Sequence, residues 1–303
     1  MAPESLNFMI ANWYSGATLL ALLVNRHTSI ECNGETFPFS PRDLKSYDCT
    51  CGEYQQSCEF FRYACSHMWD DDSGDWDRSV FCQIPDLSGN AALNRLLRSG
   101  NPQSTLVRSI ARRTRAFRGR EERFVRAHLQ FFEQALDYSG RTLYLDGTKS
   151  IGRAVLFMEN SQRQVRIVHL VRDGRAFANS YRKNRHFGME CLSEAANDWN
   201  EHIRRVYELA EASSRVQVLS LRYEDLCRTP ETFFRGLFRF LGLEYQDVRA
   251  ATRESQHVLG NRMRREFSNV VKEDRSWTEE IALPDQEMLT ELMKVQLQRF
   301  GYV

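Results

Sequence analysis

The sequence predicts an α/β fold: a central parallel sheet with helices on both faces. Three observations point there. Short β-rich runs recur along the chain, most are followed by a segment with helical apolar spacing, and no run of eighteen apolar residues breaks the pattern. With 303 residues, 42% of them hydrophobic, the chain can build one large core.

The first strand reads Phe8 to Ala11, followed by the small-residue turn Ser15-Gly16-Ala17-Thr18 and a Leu-rich helix. A tight turn opening a helix is the layout of a phosphate-binding loop, because backbone N–H groups at a helix start face an anion. Ser29 to Cys32 is a second strand. From about Phe37 to Gly119 the alternation gives way to Pro, Gly, Cys and Trp-punctuated sequence, with a helical piece near Ala91 to Arg98, and reads as an insertion over the site. Then come a helix over Glu121 to Tyr138, a strand over Thr142 to Asp146, a strand over Val165 to Val171, a helix over Glu194 to Ser213 and a strand over Val216 to Arg222. Helices over Thr232 to Leu241, with Pro230 in the first turn, and over Asp285 to Arg299 complete the chain. Ligands of such sheets bind beyond the carboxyl ends of the strands, so the residues just after each run are the candidates.

The net charge of +1 gives no general attraction for nucleic acid, and no aromatic-interleaved basic motif appears. "RSIARRTRAFRGREERFVR" (Arg108 to Arg126) reads first as a solvated helix face and second as an anion-attracting rim. The N-terminus lacks signal-peptide order, so a soluble, cytoplasmic protein is expected. Four of eight cysteines cluster as Cys49, Cys51, Cys58 and Cys65. Zinc usually takes paired C-x-x-C ligands, so buried or disulfide-linked thiols are expected and no metal.

The segments "SGATLLALLVNRH", "NGET", "DGTKSIGR", "HLVRDGRAFANS", "LRYEDLCRTPETFFRGLFRFLGL" and "HVLGNRMRREF…DRSW" stand in an order and spacing that resembles the sulfotransferases using 3′-phosphoadenosine 5′-phosphosulfate (PAPS). The resemblance spans both ends of the chain, and "CTCG…CEFF" is similar to bacterial members. It implies a P-loop-like three-layer fold, a single domain over 1–303 with 37–119 shaping the acceptor site, and transfer of a sulfuryl group to an acceptor hydroxyl or amine with release of 3′,5′-ADP. By the same resemblance Arg172 and Ser180 take the 3′-phosphate and Ser15, Gly16, Ala17 and Thr18 take the 5′-phosphosulfate. Tyr223, Asn261 and Arg264 make further cofactor contacts.

One departure matters. The family's loop reads roughly G-x-x-[RK]-S-G-T-[TS], and this chain has Ala11, Tyr14 and Ala17 at the Gly, basic and first Thr positions. The missing cation is supplied in this reading by Lys149, at the third strand end, where related enzymes carry a Lys. The cytosolic branch places a His base two residues later, but Ile151 stands there. The branch that sulfates protein tyrosines uses a Glu twenty-one positions beyond its basic loop residue, which gives Glu35. His27, His186 and His257 are reserve bases. A PAPS-binding protein that has lost transfer is the alternative; a P-loop kinase would need G-x-x-x-x-G-K-[ST] and a magnesium-binding carboxylate, and the absent Lys argues strongly against it. The acceptor is expected to be a small molecule or carbohydrate, with no nucleic acid partner.

Overall fold

The computed structural model describes residues 5–37, 48–70, 75–76, 80–85, 102–185, 188–251, 256–261, 263–266 and 271–303. The helical piece expected at Ala91 to Arg98, together with His186 and Arg262, lies outside the described residues.

Five parallel strands form the sheet in the order β2 (Ile30–Glu31), β5 (Leu143–Lys149), β1 (Ser5–Ala11), β6 (Gln164–Val171), β7 (Val216–Arg222). A two-stranded antiparallel ribbon, β3 (Trp69–Asp70) with β4 (Asp75–Trp76), stands apart from it. β1 is central and buried on both faces, and its period-2 alternation divides the core. Leu6, Phe8 and Ile10 join one cluster with Phe124, Phe131, Phe157 and Ile167, whereas Met9 and Ala11 join another with Leu20, Leu23, Val168, Phe234 and Phe238.

Helix α4 (Arg115–Ser139) and helix α5 (Ile151–Asn160) cover the first face; α1 (Ala17–Val24), α8 (Tyr223–Arg228) and α9 (Pro230–Leu241) cover the second. All eight residues of α1 are buried, which explains why its sequence is apolar all round rather than amphipathic. A third cluster gathers α6 (Gly174–Arg185) and α7 (Leu192–Glu211) with the C-terminal helices around Trp199. None of the described helices is long and apolar enough to cross a membrane.

Several boundaries differ from the sequence reading. α4 begins at Arg115 rather than Glu121, because Thr114 caps it by accepting from the Phe117 amide, and Gly140 ends it with φ 65°. β5 continues past Asp146 to Lys149: a bulge pairs Phe8 with Asp146 and Ile10 with Lys149. The final helix is broken at Met293 into Leu283–Leu292 and Lys294–Arg299. Met293 is fully buried, and its sulfur lies where a Cβ on Gly174 would come within 2.4 Å. The described part of 37–119 is not merely a cover, since Phe37, Phe60, Phe61, Met68 and Phe81 belong to the core of the first face.

The Arg run divides. Arg108 and Arg112 pair with the buried Glu121 and with Glu159, tying α3 (Pro102–Ala111) to α4 and α5, while Arg113, Arg115, Arg118 and Arg120 are exposed.

Candidate active site

Parallel pairing brings four strand ends to one edge of the sheet. Ile10 of β1 is opposite Lys149 of β5, Ala11 is opposite Leu170 of β6, and Val171 is opposite Arg222 of β7. The residues that leave these strands are therefore neighbours: the loop 12–16, Lys149, Arg172 and Tyr223.

The loop is tightly specified. Gly16, just before α1, has φ 85°, and a Cβ there would meet the Tyr223 ring at 2.5 Å. Only glycine lets the backbone approach that ring in this conformation. Tyr14 has φ 60° and Lys149 has φ 67°, the only non-glycine residues with positive φ among the described residues. Such conformations are costly for side chains of this size and concentrate at functional sites. The two positions that differ in charge role, the tyrosine replacing a cation and the lysine proposed to supply it, are the two strained ones.

Arg172 and Ser180 converge, although eight residues separate them, because α6 starts directly at Gly174 and turns Ser180 back toward the strand end. Arg172 Nη1 is 3.3 Å from Ser180 Oγ and donates to the Tyr14 carbonyl at 2.8 Å, and its guanidinium lies 5.1 Å from the centre of the Tyr223 ring. Nη2 pairs with Asp274 at 2.9 Å, while Nε is buried with no partner among the described residues. The neighbouring Asp173 pairs instead with Arg175, and its amide donates to Glu224. Trp199 Nε1 donates to the Arg172 carbonyl at 3.1 Å. This scaffold holds a guanidinium only 7% exposed beside the loop. Burial pushes up the Asp274 carboxyl, but bonds from Ser276 and Arg172 outweigh it and hold the group below the ordinary carboxylate range. Burial raises the Tyr223 phenol, whose hydroxyl donates to the Lys272 carbonyl.

On the other side of the loop, Lys149 Nζ meets Glu35 Oε1 at 2.6 Å. The side chains are 11% and 21% exposed, so the pair is open at one side. Glu35 is placed by its neighbour: Gly34 is so closely packed that a Cβ would approach the Leu259 carbonyl oxygen to 2.1 Å, and the Glu35 amide donates to that same oxygen. Segment 256–261 continues over the loop, where a Cβ on Gly260 would lie 2.9 Å from Thr18 Oγ1. Asn261 follows and is exposed. Arg264 has its guanidinium committed to Asp48 and to the carbonyls of Gly260 and Asn261.

Two reserve histidines are engaged elsewhere. His27 packs against Phe238 with Nδ1 accepting from the Ser29 amide, and His257 faces Cys49 and Cys58. Sequence reasoning missed Asp146 and Arg153. Arg153 is fully buried among Phe37, Phe124, Phe132 and Phe157, and pairs with Asp146 at 2.6 Å and with His128 at 2.8 Å. Asp146 in turn accepts from the Thr148 amide and hydroxyl, which shapes the turn carrying Lys149. The signal was the acid and base seven apart in "DGTKSIGR".

A model of the sulfotransferase family matches residues 8–247. The chain belongs to the sulfotransferase family. Among solved structures, it is similar to the sulfotransferase domain of the olefin synthase of Synechococcus PCC 7002, with 16% identity, TM-score 0.47 and coverage of 95% of this chain and 94% of that one. It is also similar to sulfotransferase STF9 from Mycobacterium avium (12%, TM-score 0.49, 99% and 77%). A third is mouse sulfotransferase SULT7A1, solved with PAP (14%, TM-score 0.45, 98% and 86%). No curated protein sequence matches significantly. For this family member, the strand-end residues are the place to ask how a sulfuryl donor would be held.

Proposed function

We propose that this sulfotransferase takes its sulfuryl group from PAPS and passes it to an acceptor hydroxyl or, as the less favoured acceptor, an amine, releasing 3′,5′-ADP. The observation that carries the reading is the guanidinium of Arg172, buried beside Ser180 at a strand end next to a left-handed glycine turn, with Nε unpartnered among the described residues. That is a prepared anion site with a planar donor fork, and it fits a 3′-phosphate. Ser15 to Thr18 offer amides and the Thr18 hydroxyl at the start of α1 to the 5′-phosphosulfate. Tyr223, over Gly16, closes this loop from above. Asn261 meets the nucleotide from segment 256–261, and Arg264 supports that segment through its bonds to Gly260 and Asn261.

In the transfer, the acceptor oxygen bonds to sulfur as the bond from sulfur to the bridging oxygen breaks. The acceptor's proton passes to Glu35, and Lys149 faces the charge that develops on the departing oxygen. Fixed cations suffice, because a sulfuryl group carries less negative charge than a phosphoryl group. The acceptor is a small molecule or carbohydrate bound on the Glu35 side.

Tyr14 favours a second reading, a nucleotide-binding protein without transfer, since a tyrosine stands where the family's loop carries a basic side chain. Turnover separates the two. Purified protein given PAPS and an alcohol acceptor should release 3′,5′-ADP, and Glu35→Gln should lower that rate by about 10²–10⁴ with nucleotide affinity unchanged. Binding of 3′,5′-ADP with no release from PAPS over a broad panel of alcohols, phenols and amines would favour the second reading.

A further inference from the structure

Three cysteines and a histidine meet outside this site. The ligand atoms of Cys49, Cys51, Cys58 and His257 all lie within 4.8 Å of one another. Cys51 Sγ is 3.6 Å from Cys58 Sγ, and His257 Nδ1 is 3.6 Å from Cys49 Sγ and 3.2 Å from Cys58 Sγ. A tetrahedral zinc with bonds of about 2.3 Å to sulfur and about 2.0 Å to nitrogen sets its ligands about 3.5–3.8 Å apart. A disulfide would instead bring two sulfurs to about 2.05 Å and leave the third thiol and the imidazole unexplained. All three cysteines are free.

The surroundings hold these four groups in place. Residues 48–54 form a tight turn: Asp48 bridges Tyr54, the Cys49 amide donates to the Glu53 carbonyl, and the Gly52 amide returns to the Cys49 carbonyl with φ 95° at Gly52. Cys58 follows as the cap of α2 (Glu59–Ala64), its amide bonded to the Tyr54 carbonyl. His257 is stacked on Phe60 at 4.9 Å and 8°, which turns Nδ1 toward the thiols. Cys65, fourth in the sequence cluster, is buried and is not in the group. The missing ligand could not be read from cysteine spacing because it lies 199 residues beyond Cys58.

We infer that Cys49, Cys51, Cys58 and His257 bind one zinc ion in a structural site. Three thiolates and an imidazole fill a tetrahedral shell and exclude hard-ligand metals such as magnesium and calcium, and four protein ligands leave no position for substrate. Binding releases the thiol protons to solvent. The site ties the 48–58 turn to segment 256–259, already linked by bonds from the Thr50 amide to the Val258 carbonyl and from the Val258 amide to Thr50 Oγ1. That segment holds the Glu35 amide through Leu259. Zinc therefore fixes the acceptor side of the site from behind.

Metal analysis of the full chain tests this, independently of any sulfuryl donor. Protein purified without chelators should carry about one zinc per chain by plasma mass spectrometry, and cobalt loaded in its place should give the intense visible bands of a tetrahedral thiolate site. Cys58→Ser and His257→Ala should lose at least about tenfold in bound zinc, and Cys65→Ser should keep it. Stripping zinc should lower the melting temperature, with recovery on adding zinc alone. Wild-type protein that holds no zinc and takes up neither zinc nor cobalt overturns the inference, whatever the variants do. So does a Cys51–Cys58 disulfide found by mass spectrometry in metal-free protein purified under reducing gas.

Discussion

Removing the Arg172 guanidinium should separate 3′-phosphorylated nucleotides from all others. Its Nη1 already stands 3.3 Å from Ser180 and its Nη2 is held by Asp274, whose side chain is 50% exposed. A 3′-phosphate that engages both Nη atoms gains two charge-assisted bonds of about 1.5–3 kcal/mol each. Displacing a half-exposed carboxylate takes back about 1 kcal/mol at most. The surplus of about 2–5 kcal/mol corresponds to about thirtyfold or more in affinity for 3′,5′-ADP. The same guanidinium supports the loop through the Tyr14 carbonyl, so 5′-AMP should also lose, but only the roughly 1 kcal/mol of one neutral-acceptor bond, about fivefold. Calorimetric titration of wild type and Arg172→Ala with both nucleotides, at one ionic strength, reads the difference directly. Asp274→Asn should move the other way and tighten 3′,5′-ADP by up to about fivefold, because the competitor for Nη2 loses its charge. Equal losses for 5′-AMP and 3′,5′-ADP in Arg172→Ala would refute the assignment and leave Arg172 as a support for the loop alone.

Lys149→Ala should cost about 10²–10³ in turnover, the scale of one lost transition-state donor, whereas Tyr14→Phe should cost much less; steady-state rates at saturating PAPS decide, and a harmless Lys149→Ala would move the cation elsewhere. Stability should fall as pH drops below about 6.5. Burial, with Arg153 beside one ring and His202 beside the other, holds His128 and His169 well below the ordinary histidine range, and burial with Arg205 lowers His202 to about 4. These rings are neutral when folded and bind protons when unfolded, so their contribution is complete above the unfolded pKa and is lost on acidification toward the folded values. Thermal melts from neutral to mildly acid pH should show it, a flat profile would contradict it, and His202→Gln should flatten the slope.

The sheet was legible because its central strands β1 and β6 carry continuous apolar runs, and their burial leaves few other readings for "NFMIA" or "IVHLV". Arg172 with Ser180, and Lys149 with Glu35, could be named because each belongs to a motif at a strand end. Their geometry could not. The 2.6 Å meeting of Lys149 with Glu35 depends on a bulge in β5 and on Gly34 packing beneath Leu259, neither of which leaves a local periodic signal. Arg153 was hidden for the opposite reason: arginine in a helix start is ordinarily solvent-facing, and only the aromatic cage and Asp146 make its burial tolerable. The break at Met293 and the inclusion of His257 with distant thiols are likewise products of packing between segments far apart in the chain.

The crossing of Gly34, Gly147 and Leu259 has a consequence for how the protein is made. A Cβ on Gly147 would lie 2.8 Å from the Gly34 Cα, and one on Gly34 would lie 2.1 Å from the Leu259 oxygen, so three stretches of backbone stack at a single point. Asn33, one residue earlier, bonds across a separation of 224 residues to the His257 carbonyl. A chain emerging from the ribosome as far as α9 already contains both members of the Lys149–Glu35 pair and all five strands of the sheet. It does not yet contain the carbonyl that receives the Glu35 amide. The sheet and the strand-end residues Arg172, Ser180 and Lys149 can come together during synthesis, while the anchoring of Glu35 by Leu259 and of Arg172 by Asp274 must wait for the long-range closures that come last.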